Sequence, residues 1–326
     1  MTRKPLIVIG AGIAGLSTGC YARMNGYDVQ VFEKHDKPGG MCTSWVRKGY
    51  TFDYCIHNLI GSSGTAKAHR YWAELGALSG IEVLTFREMV QLEDQKGNRV
   101  DIVSDVDALE RRLIERVPAD ADLVREYVSA LRKLRKVEVM ALMLDLRPLD
   151  QLSLLPKLGL FKKLGSITAA QFSDKFQDEF LRRSFRYVQY GIPEIPMIAH
   201  VGMFAAVISG DGGWPRGGSL TLSRNIEKRF PGLRGQVEAW DVITPVTTER
   251  YLGAYRGLQA WPSKVEMSTL MKEGLSTTLP GLEGFYMVGQ YAQGTIGLTT
   301  VAAAGRKLVK RLCKEDGKKF QTSDAP

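Results

Sequence analysis

The residues best placed to do chemistry lie near the start of the chain: three glycines and an acid. Gly10-Ala11-Gly12-Ile13-Ala14-Gly15 follows the short apolar run Leu6 to Ile9, and Glu33 ends the next run, Tyr27 to Phe32. In such a loop Gly10 permits a tight turn after a strand. Gly12 lets the backbone approach a pyrophosphate, and Gly15 lets a helix pack closely on the strand. Exposed N–H groups at the helix start, with the helix dipole, favour the phosphates' negative charge; Ile13 and Ala14 supply that first turn. Glu33, at the end of the second strand, is placed to accept hydrogen bonds from an adenosine ribose. An acid there disfavours a 2′-phosphate and argues against NADP. Lys34 is either a contact near the adenosine or a surface lysine. The chemistry indicated is dinucleotide binding.

A lone glycine fingerprint is weak; its context gives it weight. Leu6 to Ile9 reads as a buried parallel strand, Leu16 to Asn25 as a helix closed by Gly26, and Tyr27 to Phe32 as a second strand. Further on, Val90 to Val103 reads as a hairpin turning at Lys96-Gly97-Asn98. Ser104-x-x-Asp107 reads as a helix N-terminal cap in which the serine hydroxyl accepts a backbone N–H. A second helix starts near Asp120 and carries Val124, Tyr127, Val128, Leu131 and Leu134 at helical spacing. Residues 137–210 read as mainly helical, broken at Pro148, Pro156, Pro193 and Pro196.

The 326 residues are enough for two domains, and 44% hydrophobic with 24% charged residues is an ordinary globular composition. No apolar run reaches the roughly 18 residues of a membrane span. The first strand ends in glycines rather than a cleavage site, so no signal peptide is expected and a cytoplasmic location is. Cys20, Cys42, Cys55 and Cys313 lack metal-ligand spacing and read as free thiols, and no metal site is expected. A net charge of +9 without zinc-finger or RNA-binding motifs speaks against nucleic acid. The basic C-terminal stretch Arg306 to Lys319 fits an anionic membrane surface, or a solvated helix face. Leu154 to Gly165, apolar with Lys157, Lys162 and Lys163, reads either as an interfacial anchor or as a packed helix with a lysine edge.

Several further motifs carry a resemblance. Asp36-Lys37-Pro38-Gly39-Gly40-Met41 resembles the second glycine pair of two-dinucleotide-binding-domain flavoproteins. Gly39 to Trp45, Gly49 to Asp53, Cys55-Ile56-His57, Gly213-Trp214-Pro215-Arg216-Gly217-Gly218 and Leu279 to Gln290 together resemble the phytoene desaturase and carotenoid isomerase branch of the FAD oxidoreductases. The likeness covers nearly the whole chain. It implies an α/β fold, a Rossmann-like FAD domain with an inserted, mostly helical cap or substrate domain. The implied division is 1–75 and 275–326 for the FAD domain, 76–212 for the helical domain, 213–232 for a further FAD-domain segment with the deletion junction, and 233–274 for a connecting segment of the substrate domain. The resemblance implies FAD as cofactor, held at Gly39, Gly40 and Met41 along its phosphate and ribityl portion. Pro215, Gly217 and Gly218 would approach the isoalloxazine. Gly289 and Gln290 would meet the pyrophosphate and ribityl chain. Gly297, Leu298, Thr299 and Val301 would open a helix aimed at the flavin pyrimidine.

Three departures from the family pattern stand out. Met41 replaces a frequent arginine, and Gln290 a frequent aspartate. Near residues 223–232 the chain reads as a fusion across an internal deletion of about a small domain. The implied activity is FAD-dependent oxidation of a long apolar isoprenoid, carotenoid-like or related lipid, desaturation being favoured over isomerisation or saturation. The implied setting is peripheral to a membrane. The alternative is a shortened, catalytically weak FAD-binding scaffold; a soluble amine-oxidase-like enzyme fits the motifs less well. His57 could serve as acid or base or be structural, and no catalytic residue is assigned. Oligomeric state stays open, with a homo-oligomer compatible.

Overall fold

The fold was obtained as a computed structural model, which describes residues 3–54, 59–85, 87–135, 155–188, 193–208, 212–215, 245–252, 276–293 and 297–323. His57, Gly217, Gly218 and the 223–232 junction lie outside the described residues. The chain divides into two compact units. One comprises Met1–His57, Tyr71–Glu82 and Trp214–Pro326; the other comprises Asn58–Arg70 and Val83–Gly213.

The first unit begins with β1 (Pro5–Ile9), α1 (Ile13–Met24) and β2 (Asp28–Phe32). β1 and β2 pair in parallel, Pro5 opposite Asp28 through Ile9 opposite Phe32, with α1 as the crossover. This is the βαβ unit the sequence predicts. A hairpin, β3 (Ser44–Arg47) with β4 (Tyr50–Asp53), follows. The last long helix, Leu298–Glu315, returns to pack on α1. Their crossing is close because residue 305 is glycine: a β-carbon there would lie 2.2 Å from Ser17 Oγ and 2.6 Å from the Thr18 nitrogen. Tyr21, Ala22, Tyr27, Val309, Leu312 and Cys313 form the core between them.

Polar contacts then tie the two ends of the chain together. Arg306 donates from Nε and Nη2 to both carboxylate oxygens of Glu74, at 2.7 and 3.1 Å, and the Tyr21 hydroxyl donates to Glu74 at 2.8 Å. Asp316 accepts from Lys4 Nζ at 2.6 Å and from the Tyr27 hydroxyl at 2.7 Å. Asn25 exchanges reciprocal side-chain bonds with the main chain of Gln321. A bidentate, largely buried guanidinium–carboxylate pair is the strong kind of ion pair; removing one partner strands the other.

In the second unit β7 (Glu88–Glu93) and β8 (Arg99–Val103) form the predicted hairpin; β5 and β6 are the short strands Leu59–Ile60 and Val83–Leu84. Its turn is held by Asp94, whose carboxylate accepts the Lys96 and Asn98 N–H groups. The following helix, Val106–Arg116, is capped by Asp105, which accepts from the Ala108 N–H at 2.8 Å. The cap is therefore one residue later than Ser104. The Ser104 N–H is already bonded to the Arg87 carbonyl, which extends the strand pairing by a residue. The helix Ala121–Arg135 buries Val124, Tyr127, Val128, Leu131 and Leu134 along one face, the predicted stripe. They pack with Phe172, Phe176, Phe185 and the helix Met197–Ala206 in an apolar core. In the helix Leu158–Gly165, Leu164 is buried, Leu160 and Phe161 pack against the same core, and Lys163 pairs with Glu126 at 3.0 Å. Leu158 remains exposed. Among the described residues no helix is long and apolar enough to cross a membrane.

His200 lies fully buried in this core between Tyr127 and Phe185, its Nε2 3.3 Å from the Tyr127 hydroxyl. Among the described residues its Nδ1 has no hydrogen-bond partner. Burial depresses its pKa from 6.5 to about 4. The unfolded chain therefore binds an extra proton between those values, and stability rises with pH across that window. Stability is expected to be full above pH 6.5 and to fall by about 3 kcal/mol as the pH drops to 4. Urea denaturation at pH 7, 5 and 4 checks this, and a His200→Leu variant should lose most of that acid-side slope.

Candidate functional site

Both main-chain polar groups of Ala11 are engaged in the site. Its N–H donates to Glu33 Oε2 at 2.6 Å, and its carbonyl accepts the Gly39 N–H at 2.7 Å. The Gly10 N–H donates to the Phe32 carbonyl at 2.7 Å. The glycine loop is thereby fastened both to the end of β2 and to the second glycine pair. Gly12 and Gly39 form a parallel bridge, and Gly40 lies against Gly12.

The side chains missing here are required to be missing. A β-carbon on Gly15 would fall 1.9 Å from the Gly10 carbonyl oxygen. One on Gly40 would sit 3.0 Å from the Gly12 Cα, at a φ of +59° in the left-handed region that favours glycine. The α1 N-terminus at Gly12 has no side-chain cap, so its first N–H groups are left for a ligand, an arrangement suited to phosphate. These features fit the phosphate portion of a dinucleotide.

Glu33 does more than the sequence suggests. Its Oε1 accepts from the His35 N–H at 2.9 Å while Oε2 holds Ala11. The His35 and Ala11 main-chain donors hold its carboxyl below the usual glutamate value. The carboxylate braces the loop, and its remaining lone pairs can still accept from a ribose.

A cavity of about 1280 Å³ opens over this cradle, within the first unit. Of the residues expected to bind cofactor, Gly10, Gly12, Glu33, Lys34 and Gly40 line it. Ile13 and Ala14 form the first turn of α1, with the Ala14 carbonyl taken by Ser17 and Thr18. Gly289 approaches Ala14, and Gln290 Nε2 donates toward Met41 Sδ at 3.8 Å. The two residues that depart from the family pattern thus touch one another. Gly297, Leu298, Thr299 and Val301 open the long C-terminal helix, where Thr299 is buried and the Val301 N–H returns to the Gly297 carbonyl. They are not among the cavity's lining residues. Pro215 ends the strand Gly212–Pro215, whose Gly213 and Gly212 pair antiparallel with Leu59 and Ile60.

The cavity also has walls that motif reading missed. Thr43, Ser44, Trp45, Arg47 and Tyr54 come from the hairpin region, and Val246, Thr247, Thr248 and Arg250 from the helix Pro245–Leu252. Trp45 and Arg47 are two apart on a strand, so they share a face; that alternation was the available signal. The helix gives no such signal. It falls in the stretch 233–274 expected to connect to the substrate domain, yet it clusters with the first unit.

Geometry and fold define a Rossmann-like dinucleotide-binding unit, and a family model described as an NAD(P)-binding Rossmann-like domain matches residues 8–75. By sequence the chain is phytoene desaturase-like. It is 26% identical over 248 residues to phytoene desaturase (lycopene-forming) of Pantoea ananas, covering 72% of this chain and 48% of that protein. It is 25% identical over 236 residues to the all-trans-retinol 13,14-reductase of Homo sapiens, covering 67% and 38%. A putrescine oxidase variant of known structure aligns over 66% of this chain and 46% of its own, with a TM-score of 0.40 and 15% identity. The chain spans about half or less of the length of these relatives.

Gly15→Ala forces the Gly10 carbonyl and α1 apart, so it should lower stability by about 3 kcal/mol, the upper end of the usual cost of overpacking. Thermal denaturation of the purified variant beside the unaltered chain checks this; an unchanged midpoint would mean the loop relaxes freely.

Proposed function

We propose that this chain binds FAD in the cavity of its first unit. We further propose that it acts as an FAD-dependent oxidoreductase on a long apolar isoprenoid, carotenoid-like or related lipid. The observation that carries the cofactor reading is the doubly held Ala11 between Glu33 and Gly39, which brings Gly12 and Gly40 together under an open helix N-terminus. In this reading Gly12 and Gly40 let the pyrophosphate lie against main chain, and Glu33 accepts from the ribose. Gly289 and Gln290 border the ribityl portion. Bound flavin supplies the acceptor for a substrate hydride. The apolar side chains Ile9, Phe32, Trp45 and Val246 also line the cavity and offer a ring apolar surface to cover.

The substrate class rests on sequence likeness to a carotenoid desaturase and a retinol reductase, both named for acting on polyenes. Contact with an anionic membrane surface is part of this reading, through the exposed Leu158 and the neighbouring exposed Lys162. The second reading, a flavin-binding protein with weak or no turnover, is favoured by the chain spanning about half the relatives' length.

Gly12 offers a clean test of the cofactor. Its φ of −68° suits any residue, and the nearest atom to an added β-carbon is 3.8 Å away. Gly12→Val should therefore fold while placing methyl groups where a pyrophosphate must lie. The unaltered chain is expected to show a flavin absorption spectrum, or to acquire it on reconstitution with FAD, and the variant to lose binding by at least about 100-fold. A colourless protein that cannot be reconstituted would overturn the reading. Anaerobic mixing with phytoene then separates the two functional readings. Rapid stoichiometric bleaching with desaturated product gives this chain the whole active site; full flavin loading without bleaching favours the non-catalytic protein.

A further inference from the structure

The phosphates of a dinucleotide carry two negative charges, and the glycine cradle offers little to balance them. A helix N-terminus contributes about half a positive charge. Met41 and Gln290, in contact with each other, are neutral, and Glu33 adds a negative charge. Lys34 and Lys37, close behind Glu33, line the same cavity and supply part of the counter-charge; arginines on its other walls are placed to supply more.

The helix Pro245–Leu252 is held in position to supply it. Thr248 is buried, 2% exposed, with its hydroxyl 2.5 Å from the Tyr54 hydroxyl. Tyr54 is itself fixed, since its N–H donates to the Thr43 carbonyl beside the start of β3. The hairpin and the helix are therefore latched to each other, and each presents an arginine to the cavity: Arg47 from β3 and Arg250 from the helix. Guanidinium groups match phosphate oxygens in geometry and remain charged at any working pH.

We propose that the helix Pro245–Leu252 is an outer wall of the dinucleotide site, docked by the Tyr54–Thr248 hydrogen bond, with Arg250 and Arg47 holding the anionic pyrophosphate. This rests on the FAD reading above and adds a segment remote in sequence from either glycine motif. The ligand is a dinucleotide with a charged diphosphate and an apolar ring. The helix acts as a clasp: loss of the latch weakens binding without touching a ligand atom.

The test is FAD titration of the full chain and of R250E, R250A, R250K and T248V, followed by flavin fluorescence at low and at high salt. Arg250 is exposed, and the melting temperature of each cofactor-free variant separates a loss of stability from a loss of binding. R250A is expected to weaken binding about tenfold and to flatten its salt dependence, because one charge-assisted contact is lost. R250E should weaken it further, R250K should recover the salt dependence but only part of the affinity, and T248V should weaken binding at both salt concentrations. If the unaltered chain takes up no FAD, the cofactor reading fails and this proposal with it. If it binds FAD and R250E and R250A match its affinity and salt dependence, the cofactor reading stands and the proposal is overturned. R47A gives an independent check: affinity equal to the unaltered chain removes Arg47 from the clasp.

Discussion

The first unit depends on Ala11 being held through both of its main-chain groups. A buried or half-buried loop must place every N–H and C=O somewhere, and here they are spent on joining three segments. The bond from Ala11 to Glu33 has an ionised acceptor, but Glu33 is exposed and solvent screens it, so both it and the bond to Gly39 are of the ordinary size, about 1 kcal/mol each. Together they fix the distance between Gly12 and Gly40, and that distance is what makes the loop a cradle. The glycines follow from it. Gly15 exists because α1 must start directly above the Gly10 carbonyl, and Gly40 because its chain must pass Gly12 at contact distance. A carboxylate at position 33 is thus needed for the loop's shape as well as for any ribose contact.

The cradle also needs a support that the first βαβ unit cannot provide alone, since two strands and one helix bury too little. The support comes from the other end of the chain. The C-terminal helix lies on α1 through Gly305, and Arg306 beside it reaches Glu74 and the Phe320 ring. The placement is economical: one residue permits the close approach and its neighbour locks it. Solvent screening leaves the more exposed Lys4–Asp316 pair worth far less than the shielded Arg306–Glu74 pair.

How much of this can be read from sequence follows from how local each cause is. β1, α1 and β2 are determined by a glycine pattern and two apolar runs, and the helix Ala121–Arg135 by a regular stripe; each signal lies within one element. Asp105 capping in place of Ser104 turns on whether the strand continues by one residue, a decision made by Arg87 across the hairpin. For Leu158 to Gly165 the composition leaves two readings open, and the packing turns Leu160, Phe161 and Leu164 toward the core. Least legible is the helix Pro245–Leu252. Its anchor is a bond between Tyr54 and Thr248, 194 residues apart, and neither residue type in its local sequence announces a partner. Met41 and Gln290 are intermediate. Each is visible as a departure from the family pattern, but only the fold shows that a thioether and an amide meet there, one neutral group accommodating the other.

The strand residues at the mouth of the cavity connect ligand binding to stability. Ile9 is 85% exposed and Phe32 55%, although both lie on the parallel pair β1–β2, and apolar side chains of parallel strands are ordinarily covered. Both line the cavity, so the uncovered face of the sheet is a wall of the ligand site. Apolar surface left in water forfeits about 25 cal/mol per Å², so a ring laid on this face regains what the bare sheet gives up. Any ligand that covers it and binds the folded chain but not the unfolded one stabilises the fold by RT ln(1 + c/Kd), with c the free ligand concentration, a quantity that keeps growing with c after the site is full. The polar half of the cradle and the apolar strand face thus act in one direction. In the proposed complex, phosphate recognition would set where the dinucleotide lies, and burial of Ile9 and Phe32 would make its presence part of the folded state's stability.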